Sequence, residues 1–588
     1  MLSSRGCNGA DNSWTRAGTV EVGVKLGSLA RLGDGLPLRL LLAGLGGCLV
    51  FLAFPPFDLA PLAWLALVPS LWAMRGRERW PAFWLGWLAG SVTNLGGFHW
   101  ICTLLMNFGH MHWLPAAALT LLLAVYQGLR FALAWWLLAW LRRQRPVRLW
   151  WALPLCYLPV EYLLPFIFPW YYANSQYWVI PFVQVTELGG VSLLGLLLLM
   201  VNGALYDLLE GLVTARRLLR QALLVALLVP ALAAAYGLVR MHQVDARMAA
   251  APQLKVGMVE ADVGIWEKED PRKVDDNLVR HQRMSVELER QGVDLVVWPE
   301  TSFHAPVVYA RRRGEREVKR YRHIPRDVDW LPPAAGPVPE HAAEDRRAGV
   351  SLRQRVAPQR GFATPLLFGA LTVLPNPAND SPRHPGLDVF NSALLLDGRG
   401  RVLGATDKVY LLMFGETVPL GHRFPAFYEW FPEAGDLTAG ERMQLLPFRG
   451  HRLGVMICYE DILPRFTLRV APQKPNLLVN LTNDAWFGKT AEPYLHLALA
   501  VFRTVENRLA LVRSTNTGVS CFVDANGRIL KQTSLDGAET LVETVPLLEG
   551  TTPYQVLGDW PAWGCILFWP VWLLLRWRRK KRKKRGRS

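Results

Sequence analysis

Long apolar runs separated by short charged loops fill the first 240 residues or so, after which the pattern changes. Apolar segments lie at about 39–54, 57–74, 82–105, 113–141, 149–166, 187–210 and 218–239, with an eighth at about 560–576. Most reach the ~20 residues that carry a helix across a bilayer. The first is short, and Pro154, Pro159 and Pro165 interrupt the fifth. Between the seventh and eighth segments the chain is of mixed polarity and long enough for a large soluble domain. There QLKVGMVEA reads as a buried strand, 271–291 as a charged helix, and VDLVVWPE (293–300) as the next strand. Further strands are predicted at 365–374, 389–396, 402–406, 452–458, 476–481, 509–514, 519–523 and 528–532. A helix over about 490–508 places Leu495, Leu499 and Phe502 on one face. Buried-type strands alternating with helices predict an α/β sandwich, and the Asn-Gly in FVDANGRIL (522–530) predicts a hairpin. Residues 303–360 break this rhythm with RRRGEREVKRYRHIPR and PPAAGPVPEH. They read as a solvated insertion, or as an arm over a site whose basic residues meet lipid phosphates.

Composition sharpens the membrane reading. With 51% hydrophobic residues and 25 Trp in 588 residues, the chain is too apolar and too aromatic for an ordinary soluble enzyme. The net charge of +17 raises the question of nucleic acid, and its distribution answers it. The loops at 75–79, 142–148 and 216–220 carry +2, +4 and +3, and the tail 576–588 carries +10, so these four stretches exceed the whole net charge. They follow segments two, four, six and eight, on one face of an even-numbered bundle. That is the positive-inside pattern, with both termini cytoplasmic and the large domain outside the cytoplasm. The tail reads as a cytoplasmic stop signal beside anionic lipid, and no nucleic-acid partner is expected. The expected organisation is a poorly ordered cytoplasmic lead-in (1–38), a seven-helix membrane domain (39–241), a soluble domain (253–545, basic insertion about 303–360), an eighth membrane helix (557–577) and a basic tail (578–588). The lead-in shows no apolar core of signal-peptide length beside a cleavage site, so the first apolar segment serves as an uncleaved anchor.

Candidate chemistry concentrates in three places of the soluble domain. RLGVMICYED (452–461) delivers Cys458 at the end of an apolar strand, followed by Tyr459, Glu460 and Asp461. VDLVVWPE ends in Glu300, and TDKVYLLMFGE (406–416) supplies Lys408 and Glu416. A thiol at its free pKa of ~8.5 is only a few per cent ionised near neutrality, so it needs a base and a cation to act as a nucleophile. Only Cys458 and Cys521 fall in this domain, so no disulfide framework is expected. Alone, a cysteine after a strand is more often a core residue, Lys408 a surface charge and Glu300 a helix cap. Asn483 and Asp484 in LTNDAWFG read as turn formers. His99, His110, His112 and His496 lack metal-ligand spacing with partner acids, so no metal and no cofactor is expected.

Glu300, Lys408 and Cys458 in that order resemble the signature of the nitrilase (carbon–nitrogen hydrolase) superfamily. The whole chain, over roughly 36–577, resembles the apolipoprotein N-acyltransferases of bacterial inner membranes. The resemblance rests on FLAFPPFDLAPLAWLAL, GWLAGSVTNLGGFHWI and FPWYYANSQYW in the helical part. In the soluble part it rests on VWPET, DKVYLLMFGE, GVMICYED, LLVNLTNDAWFG and RSTNTGVSCFVDANGRI. It implies a multi-pass bundle of about eight helices carrying an extracytoplasmic nitrilase-like αββα sandwich. It also implies two-step acyl transfer: Cys458 takes an acyl chain from a phospholipid as a thioester, then passes it to the α-amine of an S-diacylglyceryl-cysteine lipoprotein. Glu300 would be the base, Lys408 the oxyanion-stabilising cation, and Glu416, Tyr459 and Glu460 supporting residues. Trp266 matches a tryptophan lining the lipid entrance, and Trp486 and Phe487 are candidates for acyl-chain contact. The family usually has Gln where Glu260 stands, and an arginine soon after Glu161 that is missing here. The resemblance implies a monomer in the bacterial inner membrane, its catalytic domain facing the periplasm. Two other functions are compatible with parts of the pattern. One is a membrane-tethered amidase or nitrilase hydrolysing a small amide. The other is a catalytically inactive lipid-binding or transport protein, disfavoured by the intact triad and by few charges inside the apolar segments.

Overall fold

The computed structural model describes residues 19–21, 35–166, 168–215, 217–264, 267, 270, 273–308, 358–431, 434–535 and 537–585. Most of the expected lead-in, Trp266 and most of the 303–360 insertion therefore lie outside the described residues. The N-terminal part is helical: α1 Leu36–Leu52, α2 Arg79–Phe98, α3 Trp113–Gln144, α4 Leu149–Leu163, α5 Thr186–Glu210 and α6 Arg220–Ala250. The predicted second segment is not one helix. Pro61 and Pro69 each open a new short element, a 3₁₀ turn over Ala60–Trp64 and a six-residue helix over Val68–Ala73. By length and composition, three helices among the described residues could cross a membrane, Trp113–Gln144, Thr186–Thr214 and Arg220–Ala250.

The helices approach closely where side chains are small. Gly86 and Gly90 stand four apart on α2, and a Cβ on Gly90 would lie 2.6 Å from the carbonyl oxygen of Gly128 on α3. Backbones in such contact gain packing that lipid cannot supply. Apolar periodicity did not reveal that α3 carries a buried cation. Arg130 is 1% exposed, pairs with Glu161 of α4 at 3.5 Å, donates to the Trp170 carbonyl at 2.9 Å and lies over the Trp170 ring. A guanidinium from α3 thus stands beside Glu161, whose own helix lacks the expected arginine.

The C-terminal part holds two sheets. One has the order β13-β1-β2-β4-β5-β6, with β1 Gln253–Glu260, β2 Leu295–Val297, β4 Leu366–Pro375, β5 Leu387–Leu396, β6 Val402–Asp407 and β13 Glu539–Pro546; β3, Phe303–Val308, pairs with β4. The other has the order β12-β11-β10-β9-β8-β7, with β7 Leu446–Phe448, β8 His451–Ile457, β9 Leu477–Thr482, β10 Leu511–Thr515, β11 Cys521–Val523 and β12 Ile529–Gln532. β1 runs parallel to β2, as β8 does to β9 and β9 to β10. Val256, Leu295 and Leu367 of the first sheet meet Val455, Val479 and Val512 of the second in one apolar core. Helix α7, Val274–Arg290, covers the first sheet through Leu278 and Leu288. Helix α8, Glu492–Asn507, covers the second through Leu497 and Val501. The result is the αββα sandwich. The predicted hairpin forms as β11–β12, closed by Asp524 N donating to Arg528 O at 2.9 Å over Gly527 at φ +85°.

Two features join this domain to the helices. Another face of α8 enters the helical core, where Phe502 belongs to the same buried cluster as Phe54, Trp100 and Trp170. Helix α6 runs past the apolar segment, and its Asp245 binds Arg528 at 2.6 Å. Glu187 of α5 then receives both Arg240 at 2.6 Å and Arg508 at 2.5 Å. The final helix α9, Trp560–Arg585, packs on α4 and hydrogen-bonds Trp569 Nε1 to the Leu155 carbonyl at 2.8 Å.

At the seam of the sandwich Glu260 is 2% exposed and accepts from the hydroxyls of Thr515 (3.2 Å) and Thr533 (2.7 Å). Burial pushes its carboxyl up to about 8, against the pull of those hydroxyls. The folded chain then keeps a proton that the unfolded chain has lost, so this site's contribution falls as pH rises from the ordinary carboxylate range to about 8. Glu260→Gln keeps the hydrogen bonds without the penalty. Thermal unfolding should show it stabilised by ~1–4 kcal/mol at pH 8 and nearly unchanged at pH 5, since each pK unit is worth ~1.4 kcal/mol. A gain that is equal at both pH values would rule this reading out.

Candidate active site

Three strand ends converge at one end of the sandwich. Glu300 follows β2, Lys408 follows β6 and Cys458 follows β8, and they are 5%, 1% and 7% exposed. The Glu300 loop can lie on β4 because residue 369 is Gly: a Cβ there would sit 2.7 Å from the Glu300 Cα. Cys458 has φ +50° and begins a 3₁₀ turn, a sharp strand-to-turn elbow whose carbonyl accepts from Asn480 Nδ2 at 3.1 Å. Few side chains adopt this left-handed conformation without a surrounding structure that imposes it.

Lys408 Nζ lies 3.1 Å from Glu300 and 2.9 Å from Glu416. Asn391 Nδ2 donates to both carboxylates, at 2.7 Å to Glu300 and 2.9 Å to Glu416, and the Leu412 amide also holds Glu416, at 2.8 Å. Burial pulls the Lys408 ammonium down, but Glu300, Glu416 and the thiol outweigh it and hold it well above the ordinary lysine value. Burial, and then the charge of Glu300, push the Cys458 thiol well up, with Lys408 opposing. The resting sulfur is therefore a protonated thiol beside a carboxylate and a permanent cation. Such a group needs a base to react, and the arrangement supplies one together with a charge for an oxyanion.

Glu460 straps these ends together. One carboxylate oxygen accepts from Val409 N (2.7 Å) and Tyr410 N (3.2 Å), and the other from Ile457 N (2.8 Å). It thereby ties the turn after Lys408 to the strand that delivers Cys458, although burial lifts its carboxyl to about 7. Beneath the elbow lies a closed ion network. Arg513 binds Asp461 at 2.6 Å and Asp484 at 3.0 Å, while His496 bridges the same two aspartates at 2.8 and 3.1 Å. Burial would lower the His496 imidazole, but Asp461 and Asp484 raise it to about 10. Asp484 thus does more than shape a turn. Asp484, Glu492 and His496 present ligand atoms within 4.8 Å of one another, yet Arg513 and the His496 cation already neutralise the aspartates. No metal is assigned to them.

Cys458 opens into a narrow, mostly apolar cleft between the sandwich and the helices. Phe54, Phe98, Trp100, Phe168 and Trp170 line it from the helical side, and Tyr459, Ile462, Phe487 and Leu499 from the other. Phe487 meets Trp100 edge to face at 5.3 Å. Trp486 instead packs on Phe108 at 4.3 Å and is not among the lining residues. The structure thus brings Glu300, Lys408, Glu416, Cys458, Tyr459 and Glu460 to one place. Asn391 and Glu492 escaped sequence reading. The signal for Asn391 was the polar Asn-Ser pair inside the buried run VFNSALLL.

Both halves of the chain match known families. Residues 46–204 match the apolipoprotein N-acyltransferase N-terminal domain, and residues 368–552 match carbon-nitrogen hydrolase. A Geobacter metallireducens protein named apolipoprotein N-acyltransferase is 30% identical over 93% of this chain and 97% of its own length. The chain belongs to the apolipoprotein N-acyltransferase family. Proteins of the same name from Azotobacter vinelandii and Pseudomonas putida are 31% and 30% identical, over 92% and 89% of this chain and 96% and 93% of theirs. Among solved structures, an amidase from Nesterenkonia sp. aligns at 19% identity and TM-score 0.29, over 50% of this chain and 90% of that one.

Proposed function

We propose that the chain transfers an acyl group from a phospholipid, through a thioester on Cys458, to the N-terminal amine of a diacylglyceryl-cysteine lipoprotein. The observation that carries this is the placement of Cys458 in an apolar cavity walled by the helices, with Glu300 and Lys408 beside it. Glu300 takes the thiol proton as the sulfur attacks the ester carbonyl, and Lys408 holds the oxyanion. Collapse expels the glycerol oxygen, which takes the proton back from Glu300 and leaves as lysophospholipid. The lipoprotein amine then attacks the thioester, gives up its proton to Glu300, and Cys458 departs as thiolate to be reprotonated. The same three residues could serve a water-using amidase, but such an enzyme has no use for an apolar cavity walled by the helices. Mass spectrometry of lipoprotein N-termini from cells with and without this chain tests the reading. Triacylated N-termini should appear only with it, whereas diacylated N-termini in both would refute it.

The placement proposed is a bacterial inner membrane crossed eight times, with residues 253–545 in the periplasm and 576–588 in the cytoplasm. The charged loops after every second apolar segment support it. A reporter fused after Ser588 should work only in the cytoplasm; activity confined to the periplasm would contradict the eight-crossing arrangement.

A further inference from the structure

One buried carboxyl in the Cys458 cavity takes no part in the chemistry above. Glu492, the first residue of α8, is 6% exposed and lines the cavity together with Cys458. Its Oε1 lies 3.7 Å from His496 Nδ1, beyond hydrogen-bond length, and its Oε2 has no hydrogen-bond partner among the described residues. The groups facing it are Asp461, Asp484, Arg513 and His496, two anions and two cations that already balance. A fifth ionised group would leave a net buried charge. Burial, and then the charge of Asp484, accordingly hold the Glu492 carboxyl well above the ordinary range. Burial and the balanced charges around it favour the neutral acid, an O–H donor facing a cavity whose other walls are mostly aromatic and aliphatic.

We propose that Glu492 is a specificity-determining residue that donates a hydrogen bond to the ester carbonyl of the phospholipid chain that is not transferred. The inference rests on the thioester reading of Cys458. The occupant follows from the chemistry of the site. A neutral O–H surrounded by apolar walls suits an uncharged acceptor oxygen that arrives on an apolar molecule. The donor phospholipid carries two such carbonyls a few bonds apart, and only one can be at Cys458. An ammonium would meet an O–H donor here instead of a carboxylate, so the acceptor amine is the poorer match. Leaving a buried polar group unmatched costs about a tenfold factor in binding or rate.

The test compares three donors presented to the full-length protein in detergent micelles: diacyl phosphatidylethanolamine and its two monoether isomers, each with one ester and one alkyl chain. In a monoether the only ester is necessarily the transferred one, so the second carbonyl is gone. The readout is the rate at which the acyl group appears on Cys458. The wild type should acylate about tenfold more slowly from the monoethers at sub-saturating donor, through KM more than kcat. Glu492→Leu should lose that preference by slowing on the diacyl donor alone, and Glu492→Gln, which keeps an uncharged donor, should retain it. Equal wild-type rates on all three donors, or an undiminished preference in Glu492→Leu, would overturn the proposal. The wild-type comparison decides even where Glu492→Leu does not fold. Absence of any Cys458 adduct from all donors would instead bring down the thioester reading, and this proposal with it.

Discussion

Cys458→Ala should abolish acyl transfer, a loss of at least several orders of magnitude, while the protein still inserts and unfolds at nearly the wild-type temperature. In the proposed mechanism the thiol forms the covalent bond, and among the described residues no other cysteine lines the cavity. The other free cysteine of the sandwich, Cys521, lies in β11 at 0% exposure, with burial pushing its thiol to about 12. Cys458→Ser should be as inactive, because a hydroxyl ionises far less readily than a thiol in the same buried site. The left-handed backbone at Cys458 makes a small cost in stability acceptable in either variant. Acyl-transfer assays with a lipopeptide acceptor, together with thermal unfolding, check both halves. Retained activity in Cys458→Ala would remove the nucleophile from the mechanism.

Lys408 and Glu300 should fail in different ways. Glu300→Gln removes the proposed base, but it also removes the charge that, after burial, pushes the thiol up, while Lys408 remains beside it. Its thiol should therefore ionise more readily than in the wild type, and thioester formation should recover as pH rises toward the ordinary thiol range. Lys408→Met does the opposite. Glu300 and Glu416 are left in one buried site without their shared cation, so the thiol is pushed further up and the oxyanion loses its partner. Both half-reactions should slow by on the order of 10²–10³ or more, with no rescue at high pH. Stability should fall as well, by ~3–5 kcal/mol, as expected when one partner of a buried pair is removed. Rates of Cys458 acylation between pH 6 and 10 separate the two. Identical pH rescue in both variants would mean that their roles are wrongly assigned.

Much of the sandwich was legible because its strands are buried on both faces and read as unbroken apolar runs. RLGVMI, NLLVNL and LALVRS all lie within one or two residues of the observed strands β8, β9 and β10. β13, ETLVETVP, was missed because its inward and outward residues are nearly equally polar; only Val545 and Pro546 are fully buried. In the helical part, apolar length located the segments but not their breaks. Pro61 and Pro69 divide the second, and the third stops at Phe98 and resumes at Trp100. The proposed triad was legible because Glu300 and Cys458 close buried-strand runs and Lys408 stands in DKVYLLMFGE. Glu460, two residues after the cysteine, was legible with it, but Asn391 and Arg513 were not, because they act through partners far away in sequence. Arg513 meets Asp461 and Asp484 from β10, and no spacing rule along the chain predicts such a contact.

In the proposed mechanism one acyl group passes through Cys458 on its way from phospholipid to amine. The direct measurement is a two-step transfer followed by peptide mass spectrometry. The purified protein is first loaded from a phospholipid with isotope-labelled acyl chains, freed of excess donor, and then given a diacylated lipopeptide. The labelled acyl group should be found on Cys458 as a hydroxylamine-sensitive adduct after the first step. After the second it should have left Cys458 and appear as an amide on the lipopeptide α-amine, in equal amount. Label that reaches the lipopeptide without ever residing on Cys458, or that stays on Cys458 when the amine is supplied, would contradict the account.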